Sequence, residues 1–317
     1  MVTPAIGTGD RHYGGPMRID LHTHSSRSDG TSPPAVLVEQ AAAAGLDVVA
    51  LTDHDTTDGW EEAARAAEEH GITLVRGVEI SCRHKRRGVH LLGYLPDPTH
   101  TGLADELNRI LAGRTGRMPG IVAKLQGLGI DVTEDDVHAV SGDAAASGRP
   151  HVADALVVAG VVTDREEAFR RYLGPSGPAY VQRYATPLVE MIGLLRDAGG
   201  VSVLAHPWGR HDDHGLDAEA FADLGRAGLT GVEVDHQDHD PQTREELRAI
   251  ARDLGLVVTG SSDHHGTGKV DHDLGCNTTH PEELERLLAA ASAAADAAGR
   301  DTPGLVGGRA QGQRVSG

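Results

Sequence analysis

The 317-residue chain has only two cysteines, Cys82 and Cys276, with no CxxC spacing. That excludes a disulfide-stapled scaffold and makes a cytoplasmic location the expectation. It has no run of about 18 apolar residues, which excludes a membrane-spanning helix. Residues 1–16 contain Gly, Pro, Asp and Arg but no apolar stretch, so they do not read as a secretory signal. A disordered leader is expected there, with Met17 as a candidate start. Basic residues are outnumbered, 29 Lys and Arg against 47 Asp and Glu, for a formal charge of −18. A general binder of nucleic acid or anionic membrane needs a basic face, so no stable nucleic-acid complex and no membrane association are expected. A small phosphorylated substrate is not excluded, because bound divalent ions would reverse the local sign. No internal repeat of fixed period is present, and composition leaves the oligomeric state open.

With 39% apolar residues the chain can bury a full core, either as one large barrel or as two domains. In Ile19-Asp20-Leu21-His22-Thr23-His24 an apolar, strand-prone run ends in two histidines at i and i+2. Both imidazoles then project from one face of the strand, a metal-ligand arrangement that also occurs on wet strand surfaces. Beyond it, short apolar runs alternate with helix-like stretches. A helix is expected over Ala35 to Ala44, a strand over Asp47 to Thr52 running into Asp53-His54-Asp55, and a helix from Trp60 to His70 stopping at Gly71. A strand from Ile72 to Val78 delivers Glu79, and one from Val89 to Leu95 carries His90 near its start, after a basic loop from Arg83 to Gly88.

Residues 17–98 thus read as the first part of a barrel. From 99 to 183 the strand-like runs disappear and five helices are expected: Leu103 to Ala112, Met118 to Leu128, Glu134 to Val140, His151 to Ala159 and Arg165 to Leu173. This reads as an inserted helical domain with nine Lys and Arg against eleven Asp and Glu, the less repulsive surface for an anion. Alternation resumes over 184–299. Strands are expected at Gly200 to Ala205 before His206, at Gly231 to Val234 containing Glu233, and at Leu256 to Thr259 before Asp263-His264-His265. A last helix spans Pro281 to Ala298, and residues 300–317 are expected to be a disordered tail.

Seven strand-like runs therefore each bring His, Asp or Glu, and six place it at or just after the strand end; His90 departs. In a β/α barrel the C-terminal strand ends and their loops build one shared site, so a multinuclear metal site is expected. Imidazole and carboxylate ligands without thiolate suit Mn, Fe or Zn. Such ions activate water and neutralise charge on a transferring group, chemistry suited to hydrolysis at phosphorus.

The segments His22-Thr23-His24 with Asp29, Thr52-Asp53-His54-Asp55, Gly77-Val78-Glu79-Ile80-Ser81, Ala205-His206-Pro207 and Ser262-Asp263-His264-His265-Gly266 resemble, in order and spacing, the motifs of the PHP (polymerase and histidinol phosphatase) superfamily. The resemblance spans about residues 17 to 290. It implies an α/β fold, a distorted (β/α)7 barrel with the inserted helical domain, and a trinuclear site. His22, His24, Glu79 and Asp263 would hold one ion, Glu79 bridging to a second held by His90 and His206. Asp29, His54 and His265 would hold the third. Two or three divalent ions are implied, Mn2+ first, with Zn2+ or Fe2+ as alternatives. The insertion around Gly148-Arg149-Pro150-His151 is similar to that of the branch acting on nucleoside 3′,5′-bisphosphates and on 5′ ends of short RNA. An Arg fork at a helix start suits phosphate, so Arg149, His151, Arg114 and Arg117 are the candidate phosphate-binding residues.

A metal-activated water is the expected nucleophile, with Glu79 fixing the ion spacing and Asp263 or His206 handling protons. Glu233 is expected to orient a ligand histidine rather than bind metal, and Asp53 to act from behind the ligands. His211, His214, His236, His239 and His272 lie in polar loops, where exposure is the expectation. Arg149 and His151 could instead tie the insertion to the barrel. The alternatives are a phosphatase of another small monoester, such as histidinol phosphate or a nucleoside monophosphate; a metal-dependent amidohydrolase, disfavoured because no lysine stands at a candidate strand end; and a non-catalytic metal-binding protein.

Overall fold

The computed structural model describes residues 17–209 and 215–308; the expected leader, His211 and His214 lie outside them. Strands β1 (Ile19–Thr23), β2 (Val48–Leu51) and β3 (Thr73–His84) run parallel, with a two-residue β5 (Thr186–Pro187) beside the end of β3, as do β6 (Val201–Ala205), β7 (Gly231–Asp235) and β8 (Val257–Gly260). Between the two sets lies β4 (Arg87–Tyr94), antiparallel to both β3 and β6. The ring is nearly closed: the His24 amide donates to the His264 carbonyl at 2.9 Å, joining β1 to the segment after β8.

The reversed strand has a local cause. The expected basic loop contracts to a turn at Lys85 and Arg86, Lys85 taking φ 53°, so β3 continues to His84 and folds back as a hairpin. The start of β4 therefore lies at the same mouth as the C-terminal ends of the other strands. His90, opposite Ser81, reaches the mouth because its strand runs the other way. Ile19, Leu21, Val75, Leu92 and Tyr94 pack in one cluster with Leu284 and Leu287 of the last helix (Pro281–Ala298). The Tyr94 hydroxyl in that cluster donates to the Leu21 carbonyl.

Helices α1 (Pro34–Ala43) and α2 (Trp60–His70) pack outside β2 and end where the sequence places glycine; Gly71 takes the left-handed cap that favours this residue. In the inserted segment α3 (Thr101–Gly116) joins the barrel's cluster through Leu103, Leu107 and Ile110. Helices α4 (Met118–Gly127), α5 (Glu134–Ser141), α6 (Arg149–Val158) and α7 (Arg165–Ala168) share a separate core with Ile121, Leu125, Val137, Leu156 and Leu173. The stretch read as one helix to Leu173 changes after Ala168 into a π-helical turn.

Of the tail expected to be disordered from residue 300, the described residues 300–308 pack against the barrel. Arg300 binds Asp97 at 2.8 Å and the Asp197 carbonyl at 2.7 Å, and a short strand at Val306–Gly307 pairs with Thr73 and Leu74. These partners are distant in sequence, so local composition could not announce them. No helix among the described residues is long and apolar enough to cross a membrane.

Candidate metal centre

Backbone geometry delivers the ligand candidates. His22 and His24 leave the same face of β1 with ring centroids 5.0 Å apart. After them the chain doubles back so tightly that a Cβ on Gly30 would lie 2.2 Å from the His24 carbonyl oxygen, which brings Asp29 beside His24, His54 and His265. Asp53 sets this loop from the barrel side, accepting from the Ser25 amide (2.8 Å) and the hydroxyls of Ser25 and Ser28 (both 2.6 Å). Burial pushes the Asp53 carboxyl up to about 6. His206 (φ 28°) and Asp263 (φ 52°) both adopt left-handed backbone, a conformation that costs energy away from glycine and recurs at functional sites.

The side chains meet around Glu79, which is 1% exposed. Its Oε2 lies 3.3 Å from His22 Nε2, 3.2 Å from His24 Nε2 and 3.0 Å from His54 Nδ1. Its Oε1 lies 2.8 Å from His90 Nδ1 and 3.1 Å from His206 Nε2. Asp263 Oδ1 completes the first group, 3.5 Å from His22 Nε2 and 3.3 Å from His24 Nε2. Asp29 stands between His265 Nε2 (3.3 Å) and His54 Nε2 (3.6 Å), with His24 Nδ1 at 3.9 Å. All nine expected ligand residues are thus brought together, but their grouping differs from the one the resemblance implies: His24 lies with Asp29, His54 and His265 as well as with His22 and Asp263, His54 also lies with Glu79 and His90, and His206 joins through Glu79.

The donor set fits divalent ions. His22 Nε2 and His24 Nε2 lie 3.0 Å apart, although at most one can offer a proton to the other. Donors around an ion with bonds near 2.1 Å are separated by about 3.0–3.4 Å in octahedral or tetrahedral arrangement, which matches these spacings. His24 Nδ1 is buried with no hydrogen-bond partner among the described residues, as expected of a nitrogen held for a ligand, and His54 Nδ1 has only Glu79 Oε2 beside it, without hydrogen-bond alignment. Burial alone would raise Glu79, Asp29 and Asp263, but the surrounding imidazoles, with Lys269 beside Asp263, hold all three well below the carboxylate range. Burial works against a charged His24, yet Asp263 and Glu79 raise it to about 9. The carboxylates therefore present negative charge that a cation would neutralise.

Supporting contacts complete the centre. Glu233 Oε1 lies 3.0 Å from His22 Nδ1 and Oε2 accepts the His206 amide at 2.9 Å. Asp20, which the sequence reading passed over, accepts the Ser262 amide at 3.0 Å and the Gly275 amide at 2.9 Å, tying β1 to the loop that carries Asp263. The expected exposure of three histidines is overturned: His236, His239 and His272 are 0%, 3% and 4% exposed, because the loops after β7 and β8 fold over the mouth and bury them. The His236 ring accepts the Asp238 amide on Nδ1, leaving Nε2 to donate to Asp263 Oδ2 at 3.2 Å. Lys269, also missed, reaches the same oxygen at 2.5 Å. His264 turns its Nδ1 to the His272 carbonyl, away from the ligand group.

The phosphate-binding candidates form a basic cluster beside this centre. Arg114 is tied down, its Nε to Asp55 Oδ2 at 2.6 Å and its Nη2 to Ser81 Oγ at 2.9 Å. Arg149 Nη1 donates to the Leu173 carbonyl at 2.9 Å, and its guanidinium lies over Phe169 and Tyr180. His151 accepts the Gly148 amide on Nδ1 at 2.9 Å, and burial lowers its basicity. Arg117 is 7% exposed, with its Nε unpartnered among the described residues; burial and the charges of Arg149, Arg183 and Arg114 depress it to about 8. Arg183 is the fourth member, lowered to about 10 by burial and the same neighbours. No local motif marks Arg183, which follows the helices at the end of the insertion. Of these four guanidinium groups Arg114 pairs with Asp55 and Arg183 acts on it from nearby, while Arg117 feels mainly the other arginines, a surplus of positive charge that favours an anion.

A barrel mouth that gathers six imidazoles and two further carboxylates with Glu79, and a cluster of arginines at its rim, is the framework of a metal-dependent phosphoesterase. The chain belongs to the PHP family: the PHP domain model matches residues 20–117. The chain is 37% identical to a 3′,5′-nucleoside bisphosphate phosphatase of Chromobacterium violaceum over 84% of its own length and 92% of that protein's. It is 35% identical to a 5′-3′ exoribonuclease of Haemophilus influenzae over 78% of its length and 90% of that protein's. Among solved structures, a candidate metal-dependent phosphoesterase from Bifidobacterium adolescentis superposes with a TM-score of 0.82 at 37% identity, covering 86% of this chain and 96% of that one.

Proposed function

We propose that this chain is a divalent-metal-dependent phosphoesterase that removes the 3′-phosphate of nucleoside 3′,5′-bisphosphates or the 5′-terminal nucleotide of short RNA. The observation that carries the reading is the pairing of a Glu79-centred ligand cluster with the four-arginine pocket beside it. The carboxylate of Glu79 offers one oxygen to each of two imidazole groups, which suits a ligand shared by two ions. The expected complement is two or three ions, Mn2+ first and Zn2+ or Fe2+ next. When bound, they supply charge neutralisation and lower the pKa of a water.

The chain's own residues do the rest. Arg117 Nε and the neighbouring guanidinium groups hold one phosphate while the phosphate to be cleaved lies against the ligand cluster. Ser81, which holds Arg114 of the arginine cluster, lies two residues beyond Glu79 on β3, about 7 Å along the strand. His206, at the edge of the cluster beside Glu79, is the first candidate to move a proton when it does not itself hold an ion. Asp263, oriented by His236, is the second candidate. A phosphatase of another small monoester is the runner-up, favoured by the engagement of Arg149 within the insertion.

The test is phosphate or nucleotide release by purified protein with Mn2+, using adenosine 3′,5′-bisphosphate, AMP, histidinol phosphate and a 5′-phosphorylated oligonucleotide. The bisphosphate or the oligonucleotide should be turned over best. Preference for histidinol phosphate would reject the nucleotide reading, and activity unaffected by chelator would reject the metal-centre reading.

A further inference from the structure

The loop bearing Asp29 is gripped from outside the barrel by the inserted helices. Arg165, the first residue of α7, forms a two-pronged pair with Asp154 of α6, Nε to Oδ1 and Nη2 to Oδ2, both at 2.6 Å. Its remaining nitrogen, Nη1, donates to the Asp29 carbonyl at 3.0 Å. The side chain is 14% exposed. It lies against Gly268 so closely that a Cβ there would be 2.3 Å from Arg165 Nη1. A second contact, the Ala145 amide to the Arg27 carbonyl at 2.9 Å, joins the insertion to the same loop. Among the described residues no barrel hydrogen bond reaches the Asp29 backbone itself; on either side of it Asp53 holds Ser25 and Ser28, and the Gly30 and Thr31 amides donate to the Ser25 and His265 carbonyls at 3.0 and 3.2 Å.

We infer that Arg165 is a positioning residue through which the insertion sets Asp29, and with it occupancy of the Asp29–His54–His265 ion site. The inference rests on the metal-centre reading. Asp29 must stand 3.3 Å from His265 and 3.6 Å from His54 to complete that group, and its carboxylate position follows the backbone that Arg165 holds. Arg149 and His151, one turn before Asp154 on the same helix, belong to the pocket proposed for phosphate. One helix therefore connects the anion pocket to a metal ligand. Coupling of this kind is reciprocal: an anion that steadies α6 strengthens ion binding at Asp29, and the ion strengthens anion binding.

The test is the number and affinity of Mn2+ ions bound by full-length wild type, Arg165→Met and Asp154→Asn, measured by elemental analysis and chelator competition. Hydrogen exchange over residues 25–30 is followed in parallel. The expected result is one ion weakened about 10- to 100-fold in both variants, the range for partners that orient a ligand. The other ions should keep wild-type affinity, and exchange should rise in residues 25–30 but not in the strands. Equal ion number and affinity in wild type and both variants would overturn the inference. The wild-type ion count separately tests the metal-centre reading.

Discussion

His90 Nδ1 lies 2.8 Å from Glu79 Oε1 although the two belong to antiparallel neighbours, β3 and β4. The hairpin turn at Lys85 and Arg86 makes this possible by bringing the start of β4 to the mouth. Glu79 thereby joins ligands from both halves of the barrel. Replacing Glu79 with Ala is expected to remove more than the ~10- to 100-fold in metal affinity typical of a residue that only orients a ligand. Metal content and turnover of the purified variant should fall together.

The unpartnered Arg117 Nε predicts a selective effect. A charge-assisted hydrogen bond contributes about 1.5–3 kcal/mol. Arg117→Met should therefore raise KM for adenosine 3′,5′-bisphosphate about 10- to 100-fold, with little change for a 3′-monophosphate lacking the second group. Arg183→Met should act in the same direction. Equal effects on both substrates would place these arginines outside the binding site.

Asp55 gives a pH dependence of stability. Burial would raise its carboxyl, but Arg114, then Arg183, outweigh burial and lower it. The unfolded carboxyl titrates near 3.9, so the unfolded chain takes up the proton first as pH falls. The pair's contribution is complete above that value and is lost as pH drops through the lower folded value. In thermal melts Asp55→Asn should be clearly less stable than wild type at pH 7, and the gap should narrow below about pH 4.

The separate core of the inserted helices predicts local melting. Leu156 is fully buried with Val137 and Ile121, and Leu156→Ala is expected to cost about 2–5 kcal/mol. Hydrogen exchange should rise across α4 to α7 before the barrel strands lose protection.

The ligand set was legible because most of its members end short apolar strands, a pattern carried by a few adjacent residues. Helix limits marked by Pro281 or Gly71 were legible for the same local reason. The position of His90 made no sense until the hairpin reversed its strand. Asp20, Arg183 and Lys269 escaped notice as single polar residues whose partners lie far away in sequence. The burial of His236, His239 and His272 is not written in the polar composition of their loops. The strand at Val306–Gly307 depends on Thr73 and Leu74, partners that its own residues do not announce.

The most direct test of the metal centre is anomalous diffraction at the manganese edge from crystals grown with Mn2+. The account predicts peaks between His22, His24, Glu79 and Asp263, and between Glu79, His90 and His206, with a third beside Asp29, His54 and His265. Saturating Mn2+ with no peak in contact with Glu79 would contradict it.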